Sequence, residues 1–202
     1  MNPSERFRHR LARVVPEGAL DYCIQQFEAT PVSITVTRSR KSKWGDYRIH
    51  PHQAPAISVN GDLPPAFFLM TLLHELAHHR VHLAYGLRRV QPHGTEWKTA
   101  FATLMQPLLT DDRAFPAEML PLLRRHMRSP KANATADQAL YRLYLAMVND
   151  SALLLEQLVT GTVFTFRQRR FMVKDRVRKR IVCECVATRR NYLFQPLTPV
   201  QI

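Results

Sequence analysis

The residues of this sequence best suited to chemistry stand together in one short run, His74-Glu75-Leu76-Ala77-His78. On an α-helix, residues four apart lie one turn above the other. Two imidazoles at that spacing can therefore reach one ion while the glutamate between them holds a water. Zinc suits such a donor set. It lowers the pKa of its water towards 7, and a neighbouring carboxylate can take the proton as hydroxide attacks a peptide carbonyl, then return it to the leaving amine. The segment from Ala66 to Tyr85, AFFLMTLLHELAHHRVHLAY, is apolar on nearly every side over its first two turns, which predicts a helix buried in the core. Two histidines and a glutamate in such a place are costly unless a ligand satisfies them, and that cost gives the short motif its weight.

A catalytic zinc takes three protein ligands and keeps a fourth position for water. His93, fifteen residues after His78 and just before Gly94-Thr-Glu-Trp97, is the preferred third ligand because it starts a helix after a loop able to fold back. Glu96 competes with it, although a glutamate in the first turn of a helix is accounted for by the helix dipole. His79 and His82 fall off the His74/His78 face or a turn further on, and are expected to face solvent or phosphate.

Around these residues the pattern predicts an α+β chain. The first thirty residues read as a helix interrupted near Pro16-Glu17-Gly18. Val32 to Thr37 alternates apolar with polar residues and is rich in β-branched ones, the mark of a half-buried strand. Asp46–His50 and Ala56–Val59 read as two further strands of the same small sheet. Asp62 followed by Pro64 and Pro65 starts the long helix, and Gly86 stops it. A second helix is expected from Thr95 to Leu104, with Trp97, Ala100, Phe101 and Leu104 as its apolar stripe. Pro107, Pro116 and Pro121 allow only short helices before another at Asp137 to Val148. Beyond Gly161 the stretches Thr162–Phe166, Val177–Val186 and Tyr192–Phe194 predict a small antiparallel β unit.

At 202 residues, 46% hydrophobic and 22% charged, the chain is long enough and apolar enough for one medium domain with an appendage. We expect residues 1–160 to form the domain bearing the metal site, with its motifs inside 32–130, and 161–202 a small basic β unit. Three cysteines are too few for a disulfide framework, and no segment has signal-peptide or membrane-span character. The expectation is a cytoplasmic monomer with no membrane partner.

Lys and Arg number 29 against 16 acidic residues, a net charge of +13, which makes polyanions the obvious partners. Ten basic residues lie between Arg167 and Arg190, opposed there only by Asp175 and Glu184. A shorter basic run separates the first two strands. The candidate nucleic-acid contacts are Arg38, Arg40, Lys41, Lys43, Arg169, Arg170, Lys174, Arg178, Lys179 and Arg180.

HELAHH followed by HGTEWK resembles the HExxH and HGxEW pair of the SprT-like metallopeptidases, a group that includes proteases cutting proteins crosslinked to DNA. The resemblance runs from about Val32 to Pro130 and takes in WGDYR, ISVN, PPAFFLMTLLHELAHH, PHGTEWK and AFP. It implies a zincin-like domain in which a small mixed sheet packs on the active-site helix. It also implies one catalytic Zn2+ held by His74, His78 and His93, with Glu75 as the catalytic glutamate. A further implication is a shallow cleft beside an edge strand, here Ala56 to Val59, where a substrate peptide could pair by its backbone. Many members of the family carry a zinc ribbon with two cysteine pairs. Cys183-Glu-Cys185 looks like only the first, so a degenerate or absent ribbon without metal is expected, similar to the tail of shorter bacterial relatives.

The functional expectation is a zinc endopeptidase acting on DNA-associated or DNA-crosslinked protein, with single-stranded or damaged DNA as partner and the nucleoid as a possible setting. The alternative is a nucleic-acid-binding or transcription-associated protein with a structural or nearly idle zinc site. An intact Glu75 argues against that, because a structural site needs no base beside an open metal position.

Overall fold

The structure is a computed structural model that describes residues 3–40, 42–50, 52–86, 90–110, 113–131, 136–149 and 152–202. The chain divides into two compact units, Met1–Asp137 and Gln138–Ile202. It is α+β, as the periodicities predict.

In the first unit, α1 (Pro3–Leu11) and α2 (Leu20–Ala29) precede a three-stranded sheet of β1 (Ser33–Thr37), β2 (Gly45–Arg48) and β3 (Ala56–Asn60). The strand order is β1-β3-β2, with β1 parallel and β2 antiparallel to β3. Ala56–Val59 is therefore the central strand and not an edge. The alternation of β3 explains why: Ile57 and Val59 are fully buried, and a strand so apolar on one face takes the middle of a small sheet. The free edge on the helix side belongs to β2.

Helix α3 (Pro65–Tyr85) packs against β2 and β3. Pro64 and Pro65 open it with backbone already set for the first turn, and Gly86, at φ 65°, ends it by donating its N–H to the His82 carbonyl at 2.7 Å. Phe67, Phe68, Leu69, Leu72, Leu73 and Leu76 have no exposed surface, so the helix is apolar nearly all round because it is covered nearly all round. Helix α4 (Thr95–Met105) buries Trp97, Phe101 and Leu104 against it, and α5 (Met119–Met127) carries Pro121 within its first turn, where proline is tolerated.

The second unit begins with α6 (Gln138–Val148), ahead of the expected boundary at 160/161. Leu145, with Tyr141 and Tyr144 beside it, packs on Leu154 and Leu197, so this helix shares a core with residues far towards the C-terminus. A meander of β4 (Val163–Phe166), β5 (Arg169–Val177), β6 (Arg180–Cys185) and β7 (Asn191–Phe194) completes the unit. The single strand expected at Val177–Val186 is β6 preceded by the Arg178-Lys179 turn and the last residue of β5, and β5 and β6 together form a hairpin. Its first arm, β5, hides in the basic run because only Phe171 and Val173 point inward. Cys183 and Cys185 face that same core, and all three cysteines of the chain are buried free thiols. Among the described residues, no helix is long and apolar enough to cross a membrane.

Candidate metal centre

Two polar stripes run down the otherwise apolar α3, each at four-residue spacing. One is His74 and His78; the other is Thr71, Glu75 and His79, all three of them buried. His93 completes the first stripe from the turn before α4. Its Nε2 lies 3.2 Å from that of His74 and 3.0 Å from that of His78. Three nitrogens about 2.0–2.1 Å from one ion in tetrahedral array stand roughly 3.3 Å apart, so the triad is spaced for shared coordination. Among the described residues this is the one cluster of metal-type side chains, and Glu96 is outside it.

Burial sets the protonation of the triad. It pushes His74 well below its ordinary pKa, helped by His78, His93 and His126, brings His78 down to about 4 with His93 contributing, and lowers His93. Neutral imidazole is the ligating form, so no proton need be displaced when a metal arrives. Trp97 forms the floor. Its ring lies 4.6 Å from those of His74 and His93 and 5.5 Å from that of His78, and its indole N–H donates to the His74 carbonyl at 3.3 Å. Four residues after His93 on the apolar face of α4, Trp97 holds all three imidazoles by contact.

Glu75 lies beneath β2, 7% exposed. Burial pushes its carboxyl up to about 8 with Asp46 adding, against Arg40, Lys43 and a hydrogen bond from the Tyr47 backbone N–H. The approach of strand to helix is close enough to require glycine at position 45. A Cβ there would stand 2.6 Å from Thr71 Cγ2 and 2.9 Å from Glu75 Cγ, and nearer still to Glu75 Oε1. Gly45→Ala is therefore expected to displace the carboxylate, costing about 1–3 kcal/mol of stability and about 10- to 100-fold in any rate that depends on it. Thermal melting and steady-state kinetics check this, and a variant matching wild type in both would remove Gly45 from the site.

The structure corrects the expectation for His79. It is 2% exposed, and its Nδ1 meets the Tyr47 hydroxyl at 3.0 Å. Burial lowers its pKa, partly opposed by the Pro31 carbonyl, and raises that of Tyr47 to about 12. Tyr47 also lies parallel to the His78 ring at 6.5 Å. The pair thus ties β2 to the helix carrying the motif. His82 is half-buried, with its ring 6.3 Å from Tyr47.

A cavity of about 150 Å³ opens at His74 and Glu75, lined also by Lys43, Trp44, Gly45 and His126 among others. His126 was not singled out by the sequence; its partner Asp137 comes from eleven residues further on, across a segment with no pattern to reveal the pairing.

The basic candidates separate into two groups. Arg40 turns inward, its Nε donating to Asn60 at 2.8 Å and its Nη1 to Ser58 at 2.9 Å, and Lys43 pairs with Asp46 at 2.8 Å. Arg169 lies over the Phe171 and Tyr192 rings and donates to Cys185 Sγ at 3.2 Å. Thr188, through its hydroxyl and backbone N–H, and then Arg169 hold that thiol down to about 6. Lys174 sits 3.6 Å from Glu184. Arg38, Arg170, Arg178, Lys179 and Arg180 are exposed, with no carboxylate partner among the described residues, and Lys41 lies outside the described residues.

Searches of curated proteins and of solved structures return no match. The model of the SprT-like family matches residues 17–119, which contain the whole sheet, α3, the His93 turn and α4. The match takes in slightly more than half of the chain and every residue of the triad, and by it the chain belongs to the SprT-like family.

Proposed function

We propose that this chain is a zinc-dependent endopeptidase with a zincin-like site, acting on proteins associated with or crosslinked to DNA. The observation that carries the reading is the convergence of three imidazole nitrogens, one of them from His74, which lines an open cavity together with the buried Glu75 carboxylate. The residues fit the metal: His74, His78 and His93 would hold it, at the spacing given above. Bound there, zinc supplies Lewis acidity and a more acidic water.

The chain's own residues account for the rest. Glu75, buried beside the triad and one residue from His74, is placed as a carboxylate to take a proton from the attacking water and hand it to the leaving nitrogen. Tyr47, Gly45 and Thr71 fix its position, and Trp97 fixes the ligands. β2, at the edge of the sheet and in contact with Glu75, is the strand on which an extended substrate would pair by its backbone. The wild-type chain is expected to cut a protein crosslinked to single-stranded DNA faster than the same protein alone. Cleavage of neither substrate under any metal loading overturns the peptidase reading.

The DNA half of the reading is supported by the net charge and by the turns of the β unit. Arg167, Arg178 and Arg189 have φ of 48°, 50° and 59°, the left-handed region that glycine or asparagine fills at lower cost. Arginines kept there at the expense of stability are candidates for phosphate contact. Arg178→Asn is expected to stabilise the chain by about 1 kcal/mol while weakening single-stranded DNA binding and reducing its salt slope by about 0.7 per lost contact. Melting curves and salt-dependent titrations decide it; unchanged affinity and slope would exclude Arg178 as a contact.

A further inference from the structure

His126 and Asp137 form a buried polar pair that the mechanism above leaves unused. They are 4% and 6% exposed, and His126 Nδ1 stands 3.1 Å from Asp137 Oδ2, while Arg125 lies 3.4 Å from the other carboxylate oxygen. A buried histidine-carboxylate pair is a poor choice for stability alone, since apolar residues of like volume serve as well or better. This one is also not deep in the core: His126 forms part of the wall of the cavity lined by Glu75 and His74. With Nδ1–H committed to Asp137, Nε2 is the nitrogen left for the cavity, and it is an acceptor in the neutral ring. Burial favours that neutral ring, Asp137 opposes it, and Lys131 and Arg125 favour it again. The resting imidazole can thus accept a proton, and Asp137 is placed to balance the charge it would then carry.

We propose that His126 is a further catalytic residue of the hydrolysis and Asp137 its positioning residue, Nε2 of His126 taking the second proton of the attacking water. This rests on the peptidase reading. The water oxygen bonds to the carbonyl carbon, the π pair moves onto the carbonyl oxygen, and the first proton goes to Glu75. The C–N bond then breaks with its pair on nitrogen, which receives that proton from Glu75, while the carbonyl π bond re-forms. In that same step the adduct's hydroxyl, which still carries the water's second proton, gives it to Nε2, so that a carboxylate leaves and an imidazolium stands opposite Asp137; the imidazolium then returns the proton to bulk water.

The test uses the full metal-loaded chain, the crosslinked substrate above, and the variants His126→Ala, His126→Gln and Asp137→Asn beside Glu75→Gln. Both His126 variants are expected to lose about 100-fold in kcat, with KM within about threefold of wild type and metal content unchanged. Asp137→Asn should lose about tenfold, since it keeps an acceptor for Nδ1–H but not the charge. Added imidazole should restore part of the rate to His126→Ala and none to Glu75→Gln, with wild type in the same imidazole as reference. Independently of activity, 15N-histidine NMR of the metal-free wild-type chain should show His126 as the Nδ1–H tautomer. An Nε2–H tautomer overturns the proposal, as does a His126→Gln chain that melts lower but retains the wild-type kcat, which would make the pair a brace. If wild type and Glu75→Gln cleave alike, or neither cleaves, the peptidase reading fails and this inference with it. If only Glu75→Gln is dead and the His126 variants are not, this inference fails alone.

Discussion

Glu75→Gln is expected to leave the chain folded and loaded with one metal ion while lowering kcat about a thousandfold. Glutamine matches the glutamate in size, so the close approach of Gly45 to this side chain survives the change. It cannot accept a proton from water, and that removes the step proposed for Glu75. The loss should appear in kcat and kcat/KM equally, the mark of an interaction made only in the transition state. Folding offers no competing explanation, because glutamine fills the same buried volume and brings no charge that burial would penalise. Metal analysis, circular dichroism and steady-state kinetics on the same preparation check the three parts of the expectation. A variant within about tenfold of wild type would leave Glu75 without a catalytic role.

Two of the three clustered histidines were legible in the sequence because their geometry is local. Four-residue spacing on a helix fixes His74 and His78 relative to one another whatever the rest of the chain does. The same rule, carried one step further, would have revealed His79: it stands four residues after Glu75 as Glu75 stands four after Thr71, and all three are buried under β2. What stayed hidden depends on contacts between distant elements. Whether Ala56–Val59 or Gly45–Arg48 forms the edge is a matter of strand order, which alternation alone does not specify. Gly45 and Tyr47 gain their meaning only from the approach of β2 to α3. Trp97 reads as one member of an apolar stripe until its ring is found against all three imidazoles. In the basic tail, like charges on the outer face of β5 mask the two inward positions that make it a strand.

His93 is the member of the triad whose position owes most to tertiary structure, and replacing it should produce the largest change in metal binding. It sits at φ 60° between Pro92 and Gly94, a conformation that histidine and asparagine tolerate better than alanine. His93→Asn is therefore the informative variant, because it preserves the turn while removing the imidazole. Structural zinc sites bind with about 10–16 kcal/mol over four ligands, or roughly 3 kcal/mol for each, so affinity should fall by about 150-fold or more. The consequence can be read from melting alone. Free zinc at about 1,000 times the wild-type Kd stabilises wild type by about 4 kcal/mol, and should stabilise His93→Asn by only about 1 kcal/mol. The metal-free variant loses the contact of the His93 ring with Trp97, so each protein's stabilisation by zinc is measured from its own metal-free melting point. His79→Ala supplies the contrast: its metal-free form should melt lower, because a buried ring and its bond to Tyr47 are gone, yet its stabilisation by zinc should match wild type. Equal zinc stabilisation of His93→Asn and wild type would mean that the nitrogen 3.0 Å from His78 and 3.2 Å from His74 is a neighbour of the metal site and not part of it.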